Sequence, residues 1–338
     1  MVEFDEPLNE DALFRQKKKN GKKKSFRIVP FLQPALEGSV ADTHAHLDML
    51  SNVDLVLARC AVHKLEFICC MTDPVNNPAQ SYDNLELWRE KAAALLPRVV
   101  AHTQSQVEDE IKPGNIPHLR ISIGCHPHNA KEFTPEVEQA MIERLKDPRT
   151  CALGEVGLDY HYDHSPRDIQ REVFRKQIRI AHQAGLPLIL HLREAHDDAL
   201  KIMDEESFPA AGVLLHCFNL DYETLKPWLE RDCYVAFGGP LTFKKNEATQ
   251  IAAAHTPHIR ILSETDAPFM TPEPMRGMTC EPEHAIFTAA KLAEVCGFKP
   301  GEARKHFLNK IYQNALALLN RQPSEWQRSA MHVKEGQR

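Results

Sequence analysis

The sequence predicts an α/β protein built as a single TIM-type (β/α)8 barrel. Eight short β-branched or apolar runs, each followed by an amphipathic helical stretch, carry that prediction. Several of the runs also end on a metal-ligand type of residue: His44 and His46, Glu155, His191, His216 and Asp266. Catalytic residues of such barrels come from the C-terminal ends of several strands.

Taken in order, the first run is SVADTH at 39–44, followed by a helix from about residue 53. The second covers 66–71 and leads into a helix over roughly 81–96. Residues 97–117 carry no clean periodicity and are expected to be an insertion between that helix and the third run, RISIG at 120–124. A helix at about 135–146 precedes the fourth run, CALGE at 151–155. The next helix, about 166–184, stops at Gly185, a plausible C-terminal cap. PLILH at 187–191, GVLLH at 212–216, YVAF at 234–237 and RILSE at 260–264 supply the last four strands, and helices near 283–296 and 301–319 close the barrel. The barrel is therefore expected over 38–322. It is preceded by a basic, flexible extension (1–37) and followed by a loose tail (323–338).

Composition is that of an ordinary globular protein, with 43% hydrophobic and 26% charged residues. Nine cysteines without a CxxC spacing argue against a disulfide framework and for a reducing, cytoplasmic setting. The opening MVEFDEPLNEDALF lacks the cationic start and apolar run of a secretory leader. No stretch approaches a membrane span, so no membrane association is expected. The net charge of −6 is unevenly spread: residues 15–27 hold eight Lys/Arg, and the remainder carries 33 Lys/Arg against 47 Asp/Glu, or −14. Such a body does not advertise a broad duplex-binding surface. The basic run is either a solvated tail or an electrostatic hold on nucleic acid.

A lone HxH means little in a chain with 18 histidines, and a histidine closing an apolar run is often a core residue with a backbone partner. What outweighs those plainer readings is recurrence at five strand ends. His44 and His46, two apart on a strand, face the same way. Imidazole and carboxylate donors suit zinc, manganese, iron or cobalt, whereas Cys217, directly after His216, should point away from the ligand face. A carboxylate such as Glu155 can bridge two metals, and a two-metal site activates water and clamps both oxygens of an in-line displacement. Asp266 is the candidate to bind one metal and take the water's proton.

The ordered segments DTHAHLD, GCHPH, GEVGLDYHYD, HLREA, LHCF and ETDAPFMTP resemble a TatD-type metal-dependent DNase of the amidohydrolase superfamily, over roughly residues 40–320. The resemblance implies one metal on His44, His46, Glu155 and Asp266 and a second on Glu155, His191 and His216, the ions being Mg²⁺, Mn²⁺ or Zn²⁺. It also implies hydrolysis of DNA phosphodiesters, as a single-strand 3′→5′ exonuclease, with attack by a metal-bridging hydroxide and Asp266 as general base. His126 is implied to face the substrate phosphate as a catalytic residue. His128, in the same loop, is a further candidate to bind the substrate phosphate, and Arg193, two residues after His191, can fork onto it. Glu264 and Asp42 are candidates to orient ligands, Tyr160 and Tyr162 to stack a base or anchor a loop, and Arg276 to meet phosphate. The chain departs from the family at Asn219-Leu220, where many members have a Ser/Thr-Gly pair. Because fold relatives also hydrolyse esters and amides, D-aminoacyl-tRNA deacylation is the alternative activity. A non-enzymatic binding protein using the basic run is a weaker alternative, since all six ligand positions are intact. DNA is the expected partner, and no stable protein partner is inferred.

Overall fold

The computed structural model describes residues 10–17, 26–29, 36–76 and 78–335, with side chains to 331. A short antiparallel hairpin of β1 (Arg15–Lys17) and β2 (Phe26–Ile28) comes first. The barrel then runs β3 (Val40–Ala45), α1 (Val53–Val62), β4 (Leu65–Thr72), α2 (Ala79–Gln104), β5 (His118–Ile123), α3 (Pro135–Leu145) and β6 (Thr150–Asp159). It continues as α4 (Arg167–Ala184), β7 (Leu188–Arg193), α5 (His196–Glu206), β8 (Val213–Leu215) and α6 (Tyr222–Leu229). The circuit ends with β9 (Tyr234–Phe237), α7 (Glu247–His255), β10 (Ile261–Ser263), α8 (Ala285–Val295) and α9 (Glu302–Leu319), and α10 (Glu325–Glu335) follows it.

The eight strands β3 to β10 are parallel and lie in sequence order, each bonded to the next. The last seam is closed largely by hydroxyls. Thr43 Oγ1 donates to Ser263 O (3.1 Å) and Ser263 Oγ to Ala41 O (2.8 Å). Above them Asp266 N donates to His44 O (2.9 Å) and His46 N to Ala267 O (2.8 Å). The predicted TIM barrel is therefore present, with Asp266 tied by its own backbone to the strand that carries His44.

Period-two alternation fills the barrel axis. Phe67, Cys69 and Met71 of β4 meet Ala41, Cys151, Ile189, Leu214, Ala236 and Leu262 inside, while Ala315, Leu318 and Leu319 of α9 pack under them. Helix ends follow local chemistry. Gly185 takes φ +62° and closes α4 as expected. Asp221 accepts from Thr224 N (2.9 Å) at the start of α6.

Three expectations need correction. The segment expected as an insertion begins as helix, since α2 runs on to Gln104 with Pro97 inside it. The N-terminal extension is not uniformly apart from the barrel: Ala12, Leu13, Phe14 and Val29 are buried. Arg59 Nε donates to Asp11 O (3.0 Å), Ala12 N to Thr103 Oγ1 (2.9 Å), and the Phe14 ring stacks on His63 (4.4 Å). The basic run lies within the described residues only at 15–17 and 26–27. The C-terminal tail is also not loose, for it forms α10 and sends the buried Gln327 to the carbonyls of Leu145, Asp147 and Thr150 (2.8, 3.1 and 3.0 Å).

Candidate metal centre and active site

All six predicted ligand residues converge at the C-terminal mouth of the barrel. Glu155 sits at the centre, and its two oxygens face different partners. Oε1 lies 3.6 Å from His44 Nε2 and 3.5 Å from His46 Nε2. Oε2 lies 3.3 Å from His191 Nδ1, 3.5 Å from His216 Nε2 and 4.0 Å from His126 Nε2. Asp266 Oδ1 completes the first side, 3.5 Å from His46 Nε2 and 3.8 Å from His44 Nε2. Burial opposes ionisation of Glu155, but the imidazoles of His44, His126 and His191 outweigh it and hold the carboxyl well below its usual range.

The strand geometry explains this placement. β6 does not stop at Glu155, as the sequence predicts, but passes through an irregular register between Leu153 and Val156 and continues to Asp159. Gly157 makes that possible: its φ is +145°, and an added Cβ would lie 2.2 Å from His191 O. Asp159, which the sequence reading did not single out, is thereby brought beside the site at the end of β6. Its Oδ2 bonds His128 Nε2 (2.8 Å) and His191 Nε2 (3.2 Å), while Oδ1 accepts from His161 N and Tyr162 N (both 3.0 Å). Those hydrogen bonds outweigh burial and keep the Asp159 carboxyl far below its usual value.

His216 has a matching partner. Its Nδ1 lies 3.1 Å from Glu264 Oε1, which also accepts from Cys217 N (2.7 Å). Glu264 is thus placed where a carboxylate could orient the His216 ring. Asp42 braces the seam instead, accepting from His44 N (3.2 Å) and Thr265 N (2.9 Å). Cys217 corrects a parity argument. β8 ends at Leu215, Cys217 turns to φ +48°, and its thiol comes within 4.8 Å of ligand atoms of His216 and Glu264 rather than pointing away.

The phosphate candidates divide. His126 Nδ1 accepts from His128 N (3.1 Å), and burial, reinforced by His191, pushes its imidazole well below its usual pKa. A neutral ring with that bond carries its proton on Nε2, the atom facing the cluster. His128 Nε2 is engaged with Asp159 Oδ2 (2.8 Å). Arg193 lies over the Tyr162 ring (4.6 Å) without a carboxylate partner among the described residues. Tyr160 is an anchor, its hydroxyl donating to Asp198 Oδ2 (2.7 Å). Arg276 is exposed and stacked on Phe243 (4.3 Å).

Ligand-type atoms within 4.8 Å of one another form the sets His44–His46–Glu155, His44–His216–Asp266, His126–Glu155–His191 and His216–Cys217–Glu264 among the described residues. The chemistry fits divalent cations. Both ring nitrogens of the fully buried His44 lack a hydrogen-bond partner, a costly arrangement unless a cation takes the lone pair.

Residues 41–320 match the family model for TatD related DNase. The chain is similar to the uncharacterized metal-dependent hydrolase YabD of Bacillus subtilis (strain 168), at 42% identity over 178 residues, 52% of this chain and 69% of that one. It is similar also to the human 3'-5' RNA nuclease TATDN2, at 30% identity over 278 residues, 78% of this chain but 33% of that longer protein. Among solved structures, that of YJJV, a TATD homolog from Escherichia coli k12, matches the fold with a TM-score of 0.65 at 22% identity, covering 83% of this chain and 98% of that one. Barrel, cluster and relatives together define a metal-dependent hydrolase acting on ester bonds. Within that class, the chain belongs to the TatD related DNase family.

Proposed function

We propose that this hydrolase cleaves phosphodiester bonds of single-stranded nucleic acid, as a 3′→5′ exonuclease using two divalent cations. The observation that carries the proposal is the division of Glu155 between two imidazole sets, His44 and His46 on Oε1, His191 and His216 on Oε2. His44, His46, Glu155 and Asp266 would hold one cation, and Glu155, His191 and His216 the other, with Mg²⁺, Mn²⁺ or Zn²⁺ as the candidates. Bound there, such ions lower the pKa of a water and neutralise charge on the attacked phosphate.

The chain's own groups supply the rest. Asp266, at the rim of the cluster, accepts the proton of the attacking water. His126 donates from Nε2 to a phosphate oxygen, and Arg193, propped on Tyr162, forks onto the same group. Asp159 and Glu264 fix the rings of His191 and His216 so that each keeps a lone pair toward Glu155. DNA is the substrate that the family resemblance implies. RNA is the second reading, favoured by the relative TATDN2, which is named an RNA nuclease.

The test is cleavage of 3′- and 5′-labelled single-stranded DNA and RNA after chelation and resupply of each metal, with Glu155→Ala beside the wild type. Metal-dependent shortening from the 3′ end, lost in the variant, is expected. Release of D-amino acid from charged tRNA without strand cleavage would move the substrate to the carboxylic ester.

A further inference from the structure

Beside the cluster, the loop after β10 presents a large aromatic side chain to solvent. Phe269 is 50% exposed, and its neighbour Met270 is 40% exposed. Single exposed hydrophobic residues are common and need no explanation by themselves. This one differs in being held rigidly at the chemistry. Phe269 N donates to Asp266 O (2.7 Å), and the ring stands edge-on to His46, 6.0 Å between centroids. The same loop is clamped further along. An added Cβ at Gly239 would lie 1.7 Å from Met270 O, Cys280 N donates to Pro268 O (3.2 Å), and Glu273 N donates to Thr242 Oγ1 (2.8 Å).

Among the described residues, Tyr162 is the other exposed Phe, Tyr or Trp at the mouth, 51% exposed, on the loop after β6, across the barrel from β10. Its ring is already engaged. Arg193 lies over it at 4.6 Å, and the His164 ring runs parallel to it at 5.5 Å. Phe269 has no cation over its ring among the described residues, and its ring contact is with His46.

We infer that Phe269 is a specificity-determining residue, a stacking platform for the nucleobase next to the scissile phosphodiester. The inference rests on the nuclease reading above and adds a reason for strand selectivity. An interior base paired and stacked in a duplex has both faces covered, so any nucleotide at Phe269 other than a terminal one must be unpaired. Because aromatic stacking tolerates any base, the platform selects for an open strand end rather than for sequence.

The experiment compares wild type, Phe269→Ala and Phe269→Trp on single-stranded oligonucleotides, intact or carrying one abasic residue at each of the three terminal positions in turn. Phe269→Ala should lose about 5- to 150-fold in kcat/KM on the intact strand, carried mainly by KM, the range expected for one base–aromatic stack. Phe269→Trp should restore it. One abasic position should cost the wild type a similar factor and cost Phe269→Ala nothing further, because the same contact is already missing. Equal rates for wild type and Phe269→Ala would overturn the inference. So would an abasic penalty that persists undiminished in the variant, since Phe269 would then act only through the structure of its loop. A wild type that cleaves none of the strands with any metal overturns the nuclease reading first, and this inference with it.

Discussion

Asp159 Oδ2 lies 3.2 Å from His191 Nε2, and the opposite nitrogen of that ring, Nδ1, lies 3.3 Å from Glu155 Oε2. The imidazole therefore stands between two carboxylates, one at each ring nitrogen. With its Nε2 proton on Asp159, His191 offers its lone pair at Nδ1, as a metal-binding histidine must. Asp159→Asn keeps the shape but removes the charge. Metal titration of hydrolysis should show a 10- to 100-fold weaker metal affinity or lower rate, on the order found for such bracing partners, with partial recovery at high metal. An unchanged titration curve would reduce Asp159 to an anchor of the 159–162 turn.

Removal of metal should register in stability as well as in rate. Four imidazoles and two carboxylates are gathered in one buried place, and His44 has both ring nitrogens buried without a partner. A cation that binds only the folded chain adds about 2.7 kcal/mol at 100 times its Kd. Exhaustive chelation should lower Tm, and titration with Mn²⁺ or Zn²⁺ should raise it again, while Glu155→Ala should show little response. A Tm indifferent to chelation and resupply in the wild type would count against a resident cation.

The strands were legible as short apolar runs separated by helical stretches, and several of them end in a polar group that has no business in a core. His191 and His216 stand out for that reason, closing LIL and VLL. Asp159 was hidden because β6 shifts register near Glu155, so the run seems to end there. Cys217 was misplaced because alternation holds only while the chain remains a strand, and β8 ends two residues earlier. Residues 97–104 were missed as helix because they lack clean periodicity and begin at Pro97, a residue that rarely sits inside a helix. The N-terminal anchor was missed because Ala12, Leu13 and Phe14 bury themselves without any periodicity.

That anchor should be acid-labile. His63 and His284 are buried on either side of Phe14, and burial lowers each to about 4 from an ordinary 6.5. Those values already include the lowering by Arg59 nearby, which the His63 bond to Ala12 O (2.7 Å) and the charge of Glu281 only partly offset. The unfolded chain binds these protons more readily than the native one, so their contribution is intact above pH 6.5 and is lost as pH falls toward 4. At pH 5 the loss is about 2 kcal/mol for each ring. Melting curves between pH 7.5 and 5 should fall more steeply for the wild type than for His63→Gln, which cannot charge. Parallel curves would show that other groups dominate the acid response.

The C-terminal helix tests whether a segment far from the chemistry supports it. Gln327 is buried and its Nε2 serves Leu145 O, Asp147 O and Thr150 O. Thr150 opens β6, the strand that carries Glu155 and Asp159. Gln327→Ala leaves those carbonyls in a dry seam and should cost about 1–3 kcal/mol, and ending the chain after residue 322 should cost at least as much. Since α10 packs at the opposite end of β6 from the cluster, the rate of the folded variant at low temperature should stay near that of the wild type. A full-length Tm in the shortened chain would mean that α10 merely rests on the barrel. A normal Tm with a lost rate would instead place the helix in communication with the mouth through β6.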